Sequence, residues 1–271
     1  MKAIGYKIEA ITNLHVGSGK ENFGVVDKLI QKDEATGYPV INASSLKGAF
    51  REHLKLKGVQ DELLCNIFGS KPNDPNNRDA GMFRFFDANL LSMPVRGDKA
   101  PYVMATCPSL INDYIIKREL FDSPLESEVI KRWRTILQNA DTGAPMVLNE
   151  DLGGILIEDF KEATIMEGGL DTDDFCQLVG SPAVLLSDED FCTLCNDDHL
   201  PVIARNNLTE DHENLWYEQV LPRFSRLYFY VLAPENEELC KQFNEPITSK
   251  LVQIGANATV GYGYCKLTQQ D

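Results

Sequence analysis

Ile4, Tyr6, Ile8 and Ala10 alternate with polar Lys7 and Glu9 at the head of the chain. A period of two over such a stretch fits a strand with one buried and one wetted face, and it does not fit a helix. A sheet therefore begins almost at residue 1. The chain then runs through a loop with two glycines, Asn13-Leu14-His15-Val16-Gly17-Ser18-Gly19-Lys20, a short apolar segment, Val25-Val26, carrying Asp27, and the strand-like Tyr38-Pro39-Val40-Ile41. Ser44 and Ser45 are natural N-cap residues, and Leu46, Ala49, Phe50 and Leu54 follow at helical spacing as a buried stripe. On the neighbouring face Lys47, Arg51 and Lys55 recur every four residues, a line about 12 Å long that suits either a solvated face or a row of phosphates.

Further along, Met82 to Phe86, which contains Arg84 and follows Arg78, reads as a strand after a polar, turn-rich loop over residues 69 to 80. Ser123, Pro124 and Glu126 have the pattern of a capping box ahead of Leu125, Val129, Ile130, Trp133 and Leu137, and Ser187 with Asp190 opens a second one. Pro201 to Arg205 and Leu215 to Tyr217 flank a polar tip, Thr209 to Asn214, and predict a long protruding hairpin over residues 201–218. Leu251 to Ile254 and Tyr262 to Cys265 flank a glycine-rich connection. With no internal repeat and no flexible linker, strands mixed with capped helices predict a single α+β domain over residues 1–271 that carries insertions.

Charge divides this chain unevenly. Of 26 basic and 41 acidic residues, 14 and 12 lie in residues 1–100, a balance of +2, which leaves 12 and 29, a balance of -17, for the remainder. The overall -15 argues against a polyanionic partner, whereas the balanced first part is where a localised anion-binding surface is expected. No apolar run has the length of a signal peptide core or a membrane span, so a cytoplasmic protein with no membrane partner is expected. Seven cysteines at irregular spacing fit reduced thiols.

Individual motifs exclude more than they establish. Gly17-Ser18-Gly19-Lys20 lacks the spacing of a nucleotide-binding P-loop, and the Gly255 to Gly263 segment lacks that of a dinucleotide fold. The latter's glycines do permit backbone N–H groups to approach phosphates, or simply make a tight connection. Cys192 and Cys195, near Cys176 and His199, supply only one ligand pair for zinc, so buried free thiols are expected instead. His15 and Asp27, on loops near Lys20, Lys28 and Lys32, are residue types able to move a proton or hold a cation during phosphodiester cleavage, and equally able to be ordinary loop residues.

Taken in order, Gly24-Val25-Val26-Asp27-Lys28-Leu29-Ile30-Gln31-Lys32-Asp33 and Gly37 to Arg51 resemble the signature of the RAMP superfamily of CRISPR proteins. The segments Leu91 to Arg96, Thr106-Cys107-Pro108, Leu215 to Pro222 and Gly255 to Gly263 are similar to those of the backbone subunit of type III-B (Cmr) effectors. The resemblance implies a ferredoxin-like, RRM-related core with insertions, and a thumb hairpin matched by residues 201–218. It implies repeated copies stacked on a CRISPR RNA with other Cmr subunits, and cleavage of complementary single-stranded target RNA at regular intervals with a divalent metal, Mg2+ or Mn2+. Asp27 matches the family's essential aspartate and is the expected metal-holding residue, with His15 and Glu218 at auxiliary catalytic positions. Lys47, Arg51, Lys55, Ser45, Arg205, Gly255, Thr259, Gly261, Tyr262 and Gly263 are the expected RNA-binding residues. In the glycine-rich segment, Asn257, Ala258 and Tyr262 replace residues common in the family, which favours backbone over side-chain contacts there. Three other roles share this signature: a guide scaffold that does not cut, a type III-A backbone subunit, and an endonuclease that processes precursor CRISPR RNA.

Overall fold

The alternating segment at the head of the chain forms β1 (Lys2–Ala10), with Ile4, Tyr6, Ile8 and Ala10 buried on one face. The computed structural model describes residues 1–19, 24–70, 80–138, 140, 144–158, 162–166, 169, 171–208 and 213–270. Lys20, Arg78, most of the polar loop near residue 75 and the hairpin tip at 209–212 lie outside the described residues.

After β1 come β2 (Val40–Ile41), α1 (Ala43–Leu56), α2 (Asp61–Phe68), β3 (Arg84–Phe85) and β4 (Ala88–Val95). Then follow β5 (Val103–Thr106), α3 (Pro108–Leu120), α4 (Ser127–Gln138), β6 (Met146–Val147), β7 (Thr164–Ile165), α5 (Asp173–Val179), β8 (Ala183–Leu185) and α6 (Asp188–Leu194). The chain closes with β9 (Val202–Leu208), β10 (Glu213–Gln219), β11 (Arg226–Ala233), α7 (Glu237–Thr248), β12 (Val252–Gln253) and β13 (Tyr264–Gln270).

Four of these strands lie side by side in the order β13-β1-β11-β4, each antiparallel to its neighbour. Because α1 joins β1 to β4 and α7 joins β11 to β13, the connectivity is the βαββαβ of a ferredoxin-like core. Everything between β4 and β11 is insertion. β5 pairs antiparallel with β4, β8 pairs parallel with β5, and β6 and β7 extend the sheet beyond them.

Both faces of the sheet are covered, which is why β11 reads as a continuous apolar run instead of an alternating one. Leu227, Phe229, Val231 and Ala233 face the core under α1, α2 and α7, whereas Tyr228 and Tyr230 face a second core with Tyr114, Trp133 and Phe175. Tyr6, Phe50 and Phe229 stack at 5.0 and 5.5 Å between centroids, and Phe243 of α7 meets them edge-on. On α1, Leu46, Phe50 and Leu54 are fully buried and Ala49 is half-buried, as the helical spacing predicts.

Several local expectations need correction. Asn42, not Ser44 or Ser45, precedes α1; its own side chain does not cap, and Asp87 accepts from Ala43 N at 2.6 Å, so a residue distant in sequence fills that place. The helix expected from Pro124 begins at Ser127, because Ser123 is held by the end of α3, its N–H donating to Arg118 O. Ser187, by contrast, does accept from Asp190 N, at 3.1 Å. The strand expected over Met82 to Phe86 shrinks to Arg84–Phe85, and Val25, expected in an apolar segment, is 89% exposed. All seven cysteines are unpaired thiols; Cys195 is buried as expected, whereas Cys192 is exposed.

Candidate nucleic-acid interface

The expected hairpin exists: β9 and β10 pair antiparallel from Val202↔Gln219 to Leu208↔Glu213 and form a two-stranded sheet of their own, off the main sheet. Leu215 and Tyr217 are exposed along it, while Glu218, Gln219 and Val220 at its base are buried. Three loops converge on this base.

The first is the Asp27 loop. Asp27 N and Lys28 N both donate to Tyr217 O at 3.1 Å, Tyr217 N donates to Asp27 Oδ2 at 2.7 Å, and Gln219 N donates to Lys28 O at 2.9 Å. The loop thus lies along β10 as a short added strand. It holds Asp27 by its backbone and one oxygen, and Oδ1, on an exposed side chain, has no hydrogen-bond partner among the described residues.

The second loop brings His15, which is 3% exposed, with Nδ1 2.6 Å from Gln219 O. A carbonyl only accepts, so the proton sits on Nδ1, and Nε2 is the ring nitrogen left for chemistry. Nε2 faces Gly17, where a Cβ would stand 3.3 Å away.

The third is the glycine-rich segment. Ala256 N donates to His15 O at 2.9 Å, and a Cβ on Gly255 (φ +86°) would lie 2.4 Å from that oxygen, so glycine is required for the approach. Asn257, in the left-handed region at φ +65°, directs Nδ2 to Glu218 Oε2 at 2.6 Å. Tyr262 lies under the Arg205 guanidinium, 5.5 Å from ring centroid to Cζ, which ties the segment to β9. Gly255 and Thr259 form an exposed rim, Gly261 is half-buried and Gly263 is buried.

Glu218 is almost completely enclosed at 1% exposure. Oε1 accepts from Trp216 Nε1 at 2.7 Å and from Lys28 Nζ at 3.0 Å, and Oε2 accepts from Asn257. Burial pushes its carboxyl pKa up, but the donors from Trp216, Lys28 and Asn257 outweigh that and hold it below the usual carboxylate value. The Lys28 ammonium also stands 5.0 Å from the Trp216 ring centroid.

α1 joins the same region through Gln31, whose Nε2 donates to Ser45 Oγ and to Gly17 O, both at 3.1 Å. Along the helix the expected basic line is uneven. Lys55 pairs with Glu52 at 3.7 Å, and half-buried Arg51 turns toward Ser70 O at 3.5 Å. Among the described residues Lys47 has no ion-pair partner, and it is the cation of the three best placed to meet a phosphate.

Tertiary structure thus brings Asp27, His15, Glu218, Arg205, Gly255, Thr259, Gly261, Tyr262 and Gly263 to one hairpin base, with Ser45 beside them. Sequence reasoning passed over Lys28, Tyr217, Gln219 and Asn257 as site residues. Strand alternation carries a signal for part of this, since residues 216 and 218 share one face of β10 and 217 and 219 the other.

Among the described residues no three His, Cys, Asp or Glu side chains are grouped to hold a metal ion. Glu218 has both oxygens engaged, so the donor set reduces to Asp27. One carboxylate suits Mg2+ or Mn2+ shared with phosphate oxygens and water, and it does not suit a cage built by the protein alone.

The family model for the RAMP superfamily matches residues 7–266. The CRISPR system Cmr endoribonuclease Cmr4 of Pyrococcus furiosus is 30% identical over 297 residues, covering 100% of this chain and 97% of the relative. The chain belongs to the RAMP superfamily, within its Cmr4 family. Another Cmr4-family protein, the CMR subunit Cmr4 of Saccharolobus solfataricus, is 27% identical over 96% of this chain and 94% of its own. A chain in a cryo-EM structure of the type III-B Cmr-beta bound to cognate target RNA superposes with a TM-score of 0.78 at 26% identity, covering 99% of this chain and 97% of that one. No helix among the described residues is long and apolar enough to cross a membrane.

Proposed function

We propose that this chain is the repeating backbone subunit of a type III-B CRISPR effector, binding CRISPR RNA and cutting complementary target RNA at the base of each hairpin. The observation that carries this reading is the convergence on β10 of an exposed aspartate, a histidine with one ring nitrogen free, and a glycine-rich rim. That arrangement lies in a chain related along its whole length to an endoribonuclease. Copies stack along the guide with other Cmr subunits, and pairing reads sequence while Lys47, Ser45 and the Gly255–Gly263 backbone hold phosphates.

Cleavage at the hairpin has a physical rationale. A nucleotide displaced from A-form stacking is free to bring its 2′-OH in line with the adjacent phosphate, which also accounts for a preference for RNA. Asp27 positions the 2′-OH or the scissile phosphate through its open oxygen. His15, held behind it by the Gln219 carbonyl, offers Nε2 for proton transfer, and Glu218 maintains Lys28 and Asn257 around the site. A bound Mg2+ or Mn2+ on Asp27 supplies neutralisation of phosphate charge there.

The test is Asp27→Ala in the assembled complex. Target RNA is expected to remain bound while cutting falls by at least about 100-fold, the scale of losing a positioned catalytic group. Cutting at the wild-type rate and spacing refutes the catalytic role and leaves a guide scaffold. Omitting and restoring Mg2+ or Mn2+ tests the metal in the same assay, with cutting in chelator counting against it.

A further inference from the structure

Gln219 is fully buried at the last position of β10, and among the described residues it is the one bonded both to His15 and to the loop that presents Asp27. Its carbonyl accepts from His15 Nδ1 at 2.6 Å, and its N–H donates to Lys28 O at 2.9 Å. Its side chain works in both directions. Oε1 accepts from Ile30 N at 3.2 Å, and Nε2 donates to Asp197 O at 3.3 Å and to Asp197 Oδ1 at 3.4 Å. Asp197, just beyond α6, also pairs with Lys32, the next basic residue along the Asp27 loop. The amide therefore closes a ring of contacts from hairpin to Asp27 loop to inserted helix and back.

We propose that Gln219 is a positioning residue for target cleavage, setting His15 Nε2 and the Asp27 loop relative to each other. The His15 and Asp27 loops are joined through their backbones by Ser18 N–H to Leu29 O and Gln31 N–H to Val16 O, both at 2.9 Å, but among the described residues the His15 ring bonds only to Gln219, so the placement of that ring relative to Asp27 depends on Gln219. The Asp27 loop is fixed to β10 at two places, by Tyr217 at Asp27 and Lys28 and by Gln219 at Lys28 and Ile30. Tyr217 makes only backbone contacts to that loop, which any residue type supplies. Gln219 is the position where side-chain identity matters, because Ile30 N needs an acceptor and Asp197 needs a donor, and a primary amide offers both in one plane. A displacement of about 1 Å between catalytic groups costs on the order of 100-fold in rate.

This proposal rests on the cleavage reading above, and its test is built to fail separately. Reconstituted complex carrying Gln219→Met keeps the side chain's length and removes both hydrogen-bonding ends. Its single-turnover cutting rate is expected to fall by about 10-fold or more while target-RNA affinity and cut spacing stay at wild type. The exchange Gln219→Glu with Asp197→Asn keeps an acceptor for Ile30 N and reverses the side-chain bond, the new amide donating to the new carboxylate, while the bond to the carbonyl of residue 197 is lost. It is expected to recover part of the rate lost in Gln219→Met. Wild-type cutting by Gln219→Met overturns the proposal, and so does a fall in affinity that matches the fall in rate, because a merely structural role loosens the whole hairpin base. Should Gln219→Met melt well below the wild-type complex, the exchange decides: an exchanged complex that melts as wild type and cuts no faster than Gln219→Met overturns it. Asp27→Ala run alongside reports on the cleavage reading alone.

Discussion

Glu218 shows how one residue changes meaning between sequence and structure. Its position suggests a catalytic carboxylate, yet its oxygens are spent on Trp216, Lys28 and Asn257 inside the hairpin base. Its folded pKa lies below the usual 4.5, so its stabilisation is complete at neutral pH and is lost as pH falls through the depressed value. Glu218→Gln is therefore expected to lower stability at pH 7 by about 1–3 kcal/mol, the scale of a charged hydrogen-bond set. The difference from wild type should shrink toward zero in acid, where the native carboxyl is itself protonated. Thermal melts of both proteins from neutral pH to below the folded pKa check this, and a difference independent of pH counts against it.

At the scale of elements, the hairpin and the glycine-rich segment behave as one unit. The segment closes over the hairpin base because Gly255 approaches His15 O, Asn257 reaches Glu218 and Tyr262 meets Arg205. Gly255→Ala sets a Cβ against a backbone oxygen and holds alanine at positive φ, at a cost of about 1–3 kcal/mol or more. The expected result is faster amide hydrogen exchange in both the segment and β10, with β1 and β11 unchanged, because these core strands lie in the main sheet. Loosening confined to the segment would show that the two elements are independent.

For the whole molecule, the question is how a chain of net charge -15 holds RNA. On the proposed reading, contacts come from a small basic area and from backbone N–H groups, so affinity has to accumulate along stacked copies. Single-strand binding by the isolated chain is expected to weaken steeply with salt, with a log–log slope no steeper than about -2 for three cations on α1. Lys47→Ala should reduce that slope by about 0.7, the share of one phosphate contact. Lys55→Ala, whose ammonium already pairs with Glu52, should reduce it less. Titrations of labelled RNA at several salt concentrations measure both. Tight binding that ignores salt would contradict this account.

The sequence by itself determined β1, the buried stripe of α1, the cap at Ser187 and the existence of the β9–β10 hairpin. Each is set by period, cap chemistry or residues close in the chain. The RAMP signature likewise marked Asp27 and His15 from short runs of residues. Only the tertiary structure decided what surrounds them. Asp87 displaced Ser44 and Ser45 as the cap of α1, Arg118 kept Ser123 out of its expected helix, and Arg51 turned to Ser70. Gln219 came to join His15 to the Asp27 loop across 204 and 189 residues of chain. These outcomes depend on hydrogen bonds between groups remote in sequence. A local pattern specifies which face of an element is apolar, but the partner of a buried polar group is settled only when the whole fold brings one within reach.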